Sequence, residues 1–146
     1  GWPAERSRRK AILSRYLEIS RNSRLGPFIP KAYVNCDLDI VPLRFVYCHP
    51  ESLEHMKKMS RYIDVGWTWF REPVVCCPKG PAELGYAWGS CKTAERVCNE
   101  IINWPCVIEE GWEEVLFNVF KAYACDYFPH TMLRRQSMSH SRACAR

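Results

Sequence analysis

The sequence predicts an α+β fold, a small antiparallel or mixed sheet of about three strands covered by about four helices. Three observations carry this prediction. Apolar residues recur at helical spacing in several separate segments. They alternate with period two in one segment, and glycine and proline punctuate the intervals between segments. With 146 residues, 47% hydrophobic and 25% charged, the chain suits one domain with a buried core.

Residues 5–21 read as a helix: Ile12, Leu13, Tyr16 and Leu17 share a stripe and arginines fill the other faces. "NSRLGPFIPKA" (22–32) is turn chemistry, with Gly26, Pro27 and Pro30 close together. "IVPLRFVYCH" (40–49) is the best strand, with Val41, Leu43, Phe45 and Tyr47 alternating on one face and Pro42 confined to its start or to an edge. Pro50 opens a second helix, with Leu53, Met56, Met59 and Ile63 on one face as far as Gly66. Residues 66–89 concentrate three Trp, three Pro and four Gly, with a short "PVVCC" able to pair as a strand.

In "GSCKTAERVCNEIINWPC" (89–106), Ala94, Val97, Cys98, Ile101 and Ile102 form a helical stripe. Lys92, Glu95, Arg96, Asn99 and Glu100 cover the opposite side, and Ser90 is placed to cap the start. Asn103 and Trp104-Pro105 end the helix, because proline disfavours helical geometry in the residue before it. A last helix spans 110–124, with Trp112, Val115, Leu116, Val119, Phe120, Tyr123 and Ala124 on its apolar face. Glu109, Glu110, Glu113 and Glu114 flank its N-terminus, where the helix dipole favours negative charge. Residues 131–146 are polar, basic and aperiodic, which reads as a disordered tail after a domain spanning 1–130.

The net charge of +5 comes largely from "RSRRK" (6–10) and "RRQSMSHSRACAR" (134–146). No aromatic residues are interleaved with these arginines, which disfavours a nucleic-acid arm. No run approaches the ~18 apolar residues of a membrane span. The basic start has no apolar stretch behind it, so it is not a secretory signal. The nine cysteines are irregularly spaced, with no Cys-x-x-Cys pair. They read as reduced, mostly buried thiols of a cytoplasmic protein and not as a zinc site or a disulfide framework. Cys91 and Cys98 lie two helical turns apart, roughly 10 Å at about 1.5 Å per residue, too far to share one tetrahedral ion by themselves.

The four histidines are scattered. His49 reads as a boundary residue before a helix, and His55 as part of a solvated helix face. Gly89-Ser90 at a helix entry reads as a cap before it reads as a phosphate site. No catalytic constellation and no metal ligand set emerges from the residues themselves.

Four motifs together resemble the C-terminal small domain of the DegT/StrS family of pyridoxal-phosphate sugar aminotransferases. "RSRRKAILSRYLE" is similar to that family's Arg-x-x-Ile-Ala-x-x-Tyr opening helix through Arg9, Ile12 and Tyr16. "LRFVY" resembles its central strand, and "EHMKKMSRYIDVGWTW" its next helix and the edge strand leading to a substrate-side loop. "GYAWGSCKTAERVCNEIINWPC" is similar to its Cys-Pro-x-Ala-Glu helix, which runs into a Leu-Pro strand; Cys91, Ala94, Glu95, Asn103 and Pro105 hold the corresponding places. The resemblance runs from about Arg6 to about Phe128. There are two departures: "EPVVCC" keeps Pro73 without the family's loop histidine, and Trp104 replaces the leucine before Pro105.

The resemblance implies the small-domain fold of fold-type I pyridoxal-phosphate enzymes. It implies a part in transferring an amino group to a nucleotide-linked keto-sugar, for cell-surface polysaccharide or secondary-metabolite sugars. The lysine, the pyridine-holding carboxylate and the phosphate cradle lie on the family's large domain, so this chain alone is expected to be inactive and to bind no cofactor covalently. Implied partners are a lysine-bearing large domain or a homodimer partner, and a nucleotide-sugar substrate. Trp67, Trp69, Phe70 and Arg71 are the implied substrate-side residues, with core or dimer packing of the two tryptophans as the competing reading. The alternative function is a non-catalytic protein-binding module using the Trp-rich segment 66–89, since Trp and Arg are frequent interface anchors.

Overall fold

The computed structural model describes residues 1–34, 40–63, 65, 70–74 and 77–126. It is a mixed α+β arrangement. Helix α1 (Trp2–Arg21) is followed by a 3-10 turn (Gly26–Phe28) and a short helix α2 (Lys31–Val34). Then come strand β1 (Arg44–Cys48), helix α3 (Ser52–Met59), a second 3-10 turn (Pro81–Leu84), helix α4 (Lys92–Glu100), strand β2 (Ile101–Pro105) and helix α5 (Glu113–Ala124). Among the described residues the sheet has two strands, β1 and β2, paired antiparallel with Phe45 opposite Trp104 and Val46 opposite Asn103. The expected "PVVCC" strand falls partly on residues 75–76, outside the described residues, and so does the whole of the expected tail. No helix among the described residues is long and apolar enough to cross a membrane.

Tyr16 sits at the centre of the core. It stacks on Phe45 with centroids 5.3 Å apart and meets the edge of Phe120 at 4.6 Å. Its hydroxyl donates to the Pro105 carbonyl at 2.9 Å, so burial leaves no polar atom of the ring unpaired. Burial holds this phenol far above its ordinary pKa. Phe45, Tyr47, Ile102 and Trp104 share the sheet face that packs on α1 and α5. A salt bridge from Arg8 to Glu113, 2.6 Å, ties those two helices at their exposed edge.

The two strands are short, and on each outer edge one backbone group is paired with a side chain. The Val46 N–H donates to the Tyr33 hydroxyl at 3.4 Å on the β1 side. The Ile101 carbonyl accepts from Arg71 Nη2 at 2.8 Å on the β2 side. An uncovered edge would template pairing with another chain.

Several expectations are corrected. The helical stripe read through Ile101 and Ile102 stops at Glu100. Ile101 turns extended (φ −68°, ψ 134°), and the five residues Ile101–Pro105 pair with β1. Ile101, Ile102 and Trp104 fit a pleated surface well once a partner strand is present. Cys91, not Ser90, occupies the α4 N-cap, and the Glu95 carboxylate accepts the Gly89 N–H at 2.6 Å and the Tyr86 hydroxyl at 2.8 Å. The Tyr86 hydrogen bond, more than any other contact, draws the Glu95 carboxyl below its usual pKa range.

Helix α3 ends at Met59 rather than near Gly66. There Ser60 Oγ turns back to the Lys57 carbonyl at 2.9 Å, and a turn carries the chain to the buried Val65. Leu53 faces solvent, while His55 from the supposedly solvated face is buried. Leu43 precedes the strand and is exposed; Trp112 and Val115 flank the α5 stripe at the surface. Of the six described cysteines, Cys98 and Cys106 are buried, Cys48 and Cys77 half-buried, and Cys91 and Cys125 exposed, so they are not mostly buried.

Candidate functional site

Side chains alternate across a strand, so Arg44 and Val46 of β1 and Asn103 of β2 project from the face opposite the aromatic core. On that face lies a cleft of about 600 Å³ lined by Leu43, Arg44, Val46, Phe70, Asn103 and Val107. Its walls are apolar. Leu43, Phe70 and Val107 are largely exposed at its rim. Asn103 is 2% exposed, and its Nδ2 has no hydrogen-bond partner among the described residues. A buried amide N–H₂ without an acceptor is costly, and native folds rarely keep one without cause.

Two of the four expected substrate-side residues, Trp67 and Trp69, lie outside the described residues. Phe70 does reach a cavity. It is held in the left-handed region at φ 54°, an uncommon conformation for an aromatic residue, and lines the sheet-face cleft. Arg71 points elsewhere. Its Nη2 binds the Ile101 carbonyl and meets Met56 Sδ at 3.4 Å, and its Nε is buried without a partner among the described residues. Desolvation pulls its pKa down from the ordinary value, with Cys98 opposing. The structure therefore brings Phe70 and Asn103 to one cleft and turns Arg71 to fastening β2.

A second cluster was not foreseen from sequence. His49, Glu51 and His55 each offer one ligand atom within 4.8 Å of the others. Two imidazoles and a carboxylate are a donor set that zinc accepts, and His55 Nε2 to Glu51 Oε2, 3.4 Å, matches the ~3.3 Å edge of a zinc tetrahedron with bonds of about 2.0–2.1 Å.

The protons decide what this cluster does. Trp104 Nε1–H donates to the Tyr47 hydroxyl at 3.3 Å, and the Tyr47 and Tyr123 hydroxyls are hydrogen-bonded to each other. The Tyr123 hydroxyl lies 2.9 Å from His55 Nδ1. The His55 tautomer sets the direction of this contact: with the proton on Nε2, Nδ1 accepts from Tyr123 and Nε2–H faces Glu51; with the proton on Nδ1, the imidazole donates to Tyr123 and Nε2 keeps a lone pair. His49 is likewise engaged, its Nδ1 accepting the Glu51 N–H at 3.1 Å while its ring lies 4.3 Å from Phe28. The cluster is thus a chain of polar contacts running from Trp104 through Tyr47, Tyr123 and His55 to Glu51. Burial, then the neighbouring His49 and Arg24, push the His55 pKa down to about 4. Burial likewise lowers His49.

Six of the seven lysines are exposed, and the seventh, Lys10, is half-buried on α1. No family model, no curated protein and no solved structure matches the chain.

Sequence reasoning read Asn103 as a helix terminator and missed its place in the cleft. The available signal was the β-prone "IINW", which alternates around Asn103 once it is read at period two. The His49–Glu51–His55 cluster had a local signal in the i, i+4 spacing of Glu51 and His55.

Proposed function

We propose that the chain is the C-terminal small domain of a pyridoxal-phosphate aminotransferase of the DegT/StrS type, acting on nucleotide-linked keto-sugars with an amino acid as amine donor. The observation that carries this reading is the junction of α4 and β2. The last helical residue, Glu100, is followed directly by the first strand residue, Ile101. The motif residues Ala94 and Glu95 fall on the helix and Pro105 on the strand, an arrangement that supports the resemblance. A second contact agrees: Tyr16, from the opening-helix motif, donates its hydroxyl to Pro105 of the strand motif, 89 positions away.

In this reading the module covers a cofactor cleft and shapes the sugar pocket, and the lysine comes from a large domain or a homodimer partner. The reading carries a cytoplasmic location and predicts no activity for the chain alone. Bound at the large domain, pyridoxal phosphate supplies the electron sink for amino transfer. The contribution of the present residues is to position walls and exclude water. Mixing the chain with a separately purified, cofactor-loaded large domain of this enzyme class tests the idea. Amino transfer from glutamate to a nucleotide keto-sugar is expected only when both are present. Absence of turnover with a folded, bound chain would count against it.

One observation favours the protein-binding alternative. Trp88 and Leu84, both in the 66–89 segment, are 60% and 66% exposed, a surface that a partner could anchor on.

A further inference from the structure

We propose that the turn joining β1 to α3 is a binding site for a divalent ion of the zinc type, held by His49, Glu51 and His55. One nitrogen of each imidazole and one Glu51 oxygen lie within 4.8 Å of one another. Ligand atoms around zinc stand ~3.3 Å apart, and the Glu51–His55 pair is already at 3.4 Å. The remaining closure lies between His49 and that pair.

The backbone of the turn is fixed before any ion arrives. The His49 N–H donates to the Glu100 carbonyl at 2.8 Å, at the end of α4. Ser52 Oγ donates to the Asn99 carbonyl at 2.6 Å, and the Ser52 N–H donates to the His49 carbonyl at 3.0 Å. Glu51 and His55 then follow at i and i+4, on one side of the helix. Both histidines are 7% exposed, while Glu51 stands at the solvent edge. An ion can enter there, and a water or an outside ligand can take its fourth position.

Two hydrogen bonds change when the ion binds. His55 coordinates through Nε2 and keeps its proton on Nδ1, donated to the Tyr123 hydroxyl 2.9 Å away; a metal-bound imidazole ordinarily has such a partner on its other nitrogen. His49 releases the Glu51 N–H that its Nδ1 accepts at 3.1 Å. That N–H belongs to the exposed start of α3, where water replaces the lost acceptor. The Glu51 carboxylate offsets part of the ion's charge, and Arg24 and Lys58 oppose it, which suits micromolar affinity. The site lies wholly in the β1–α3 turn and its neighbours, so it stands apart from the aminotransferase reading.

The test is a zinc chloride titration of the isotope-labelled, chelator-stripped 146-residue chain at pH 7, read at the histidine ring nitrogens by nuclear magnetic resonance. The His49 and His55 resonances should shift together and saturate, with the His55 proton on Nδ1 at saturation. Glu51→Gln, at an exposed position that leaves the fold intact, should weaken binding about tenfold or more, since even the outer partners of a metal ligand are worth that much. Zinc should also raise the urea midpoint of the parent and raise that of Glu51→Gln less. Cysteines are the competing ligands, so cobalt chloride serves as a second probe, and the ion at this site should show no thiolate charge-transfer band. Shifts confined to His130 and His140, a thiolate band in step with saturation, a His55 proton held on Nε2, or equal affinity in Glu51→Gln would each overturn the proposal.

Discussion

Acidification should weaken the fold through one side chain, His55. Its folded pKa is about 4, below the ordinary 6.5, because burial and the neighbouring His49 oppose its charge. The unfolded chain therefore binds a proton between pH 6.5 and 4 that the folded chain refuses. Stability is fully present above the unfolded pKa and falls as pH drops through that window. A shift of this size corresponds to about 3 kcal/mol if undiminished. The partner Glu51 is 69% exposed and solvent screens the cluster, so about 1–2 kcal/mol is the working figure. His49 is shifted in the same direction and adds to the slope.

The assay is urea denaturation at pH 7 and pH 4.5, for the parent and for His55→Gln. The glutamine can accept from Tyr123 but cannot titrate. The parent should lose about 1–2 kcal/mol on acidification, and the variant should lose clearly less. Equal losses in both would refute His55 as the source. A resonance-detected His55 pKa at or above 6.5 would refute burial as the dominant influence on its charge.

Three further perturbations follow from the packing. Tyr16→Phe leaves the Pro105 carbonyl without its buried donor and should cost about 1–3 kcal/mol in the same urea assay. Arg71→Ala should cost about 1.5–3 kcal/mol by unpairing the Ile101 carbonyl, and Arg71→Lys should recover part of it; slower hydrogen exchange around β2 in Arg71→Lys than in Arg71→Ala is the companion signature. Gly111 stands at φ 87° with open space where a Cβ would go, so Gly111→Ala meets backbone strain alone and should cost about 1–2 kcal/mol by thermal unfolding.

Where local pattern and tertiary context agreed, the elements were legible. Ile12, Leu13 and Tyr16 marked α1, Leu116 to Tyr123 marked α5, and Phe45 with Tyr47 marked β1, because each stripe faces the core directly. The boundary at Glu100 was hidden from periodicity, since Ile101 and Ile102 continue the helical stripe as well as they begin a strand. Only β1, more than fifty residues earlier, decides between them; the resemblance had placed a strand at Trp104-Pro105. His55 was misread for the same reason, as its partner Tyr123 lies 68 positions away. Asn103 carries no sequence mark of a missing hydrogen-bond partner, because an unsatisfied donor is a property of the packed neighbourhood. Of the expected substrate-side residues, Phe70 reaches a cleft and Arg71 does not.

The most direct measurement concerns where the reactive amine resides. The purified chain is incubated with pyridoxal phosphate, reduced with borohydride and mapped by peptide mass spectrometry. If the chemistry belongs to another polypeptide, label is sparse and scattered over the exposed lysines. One lysine carrying a stoichiometric adduct would contradict that assignment and make this chain the bearer of the cofactor.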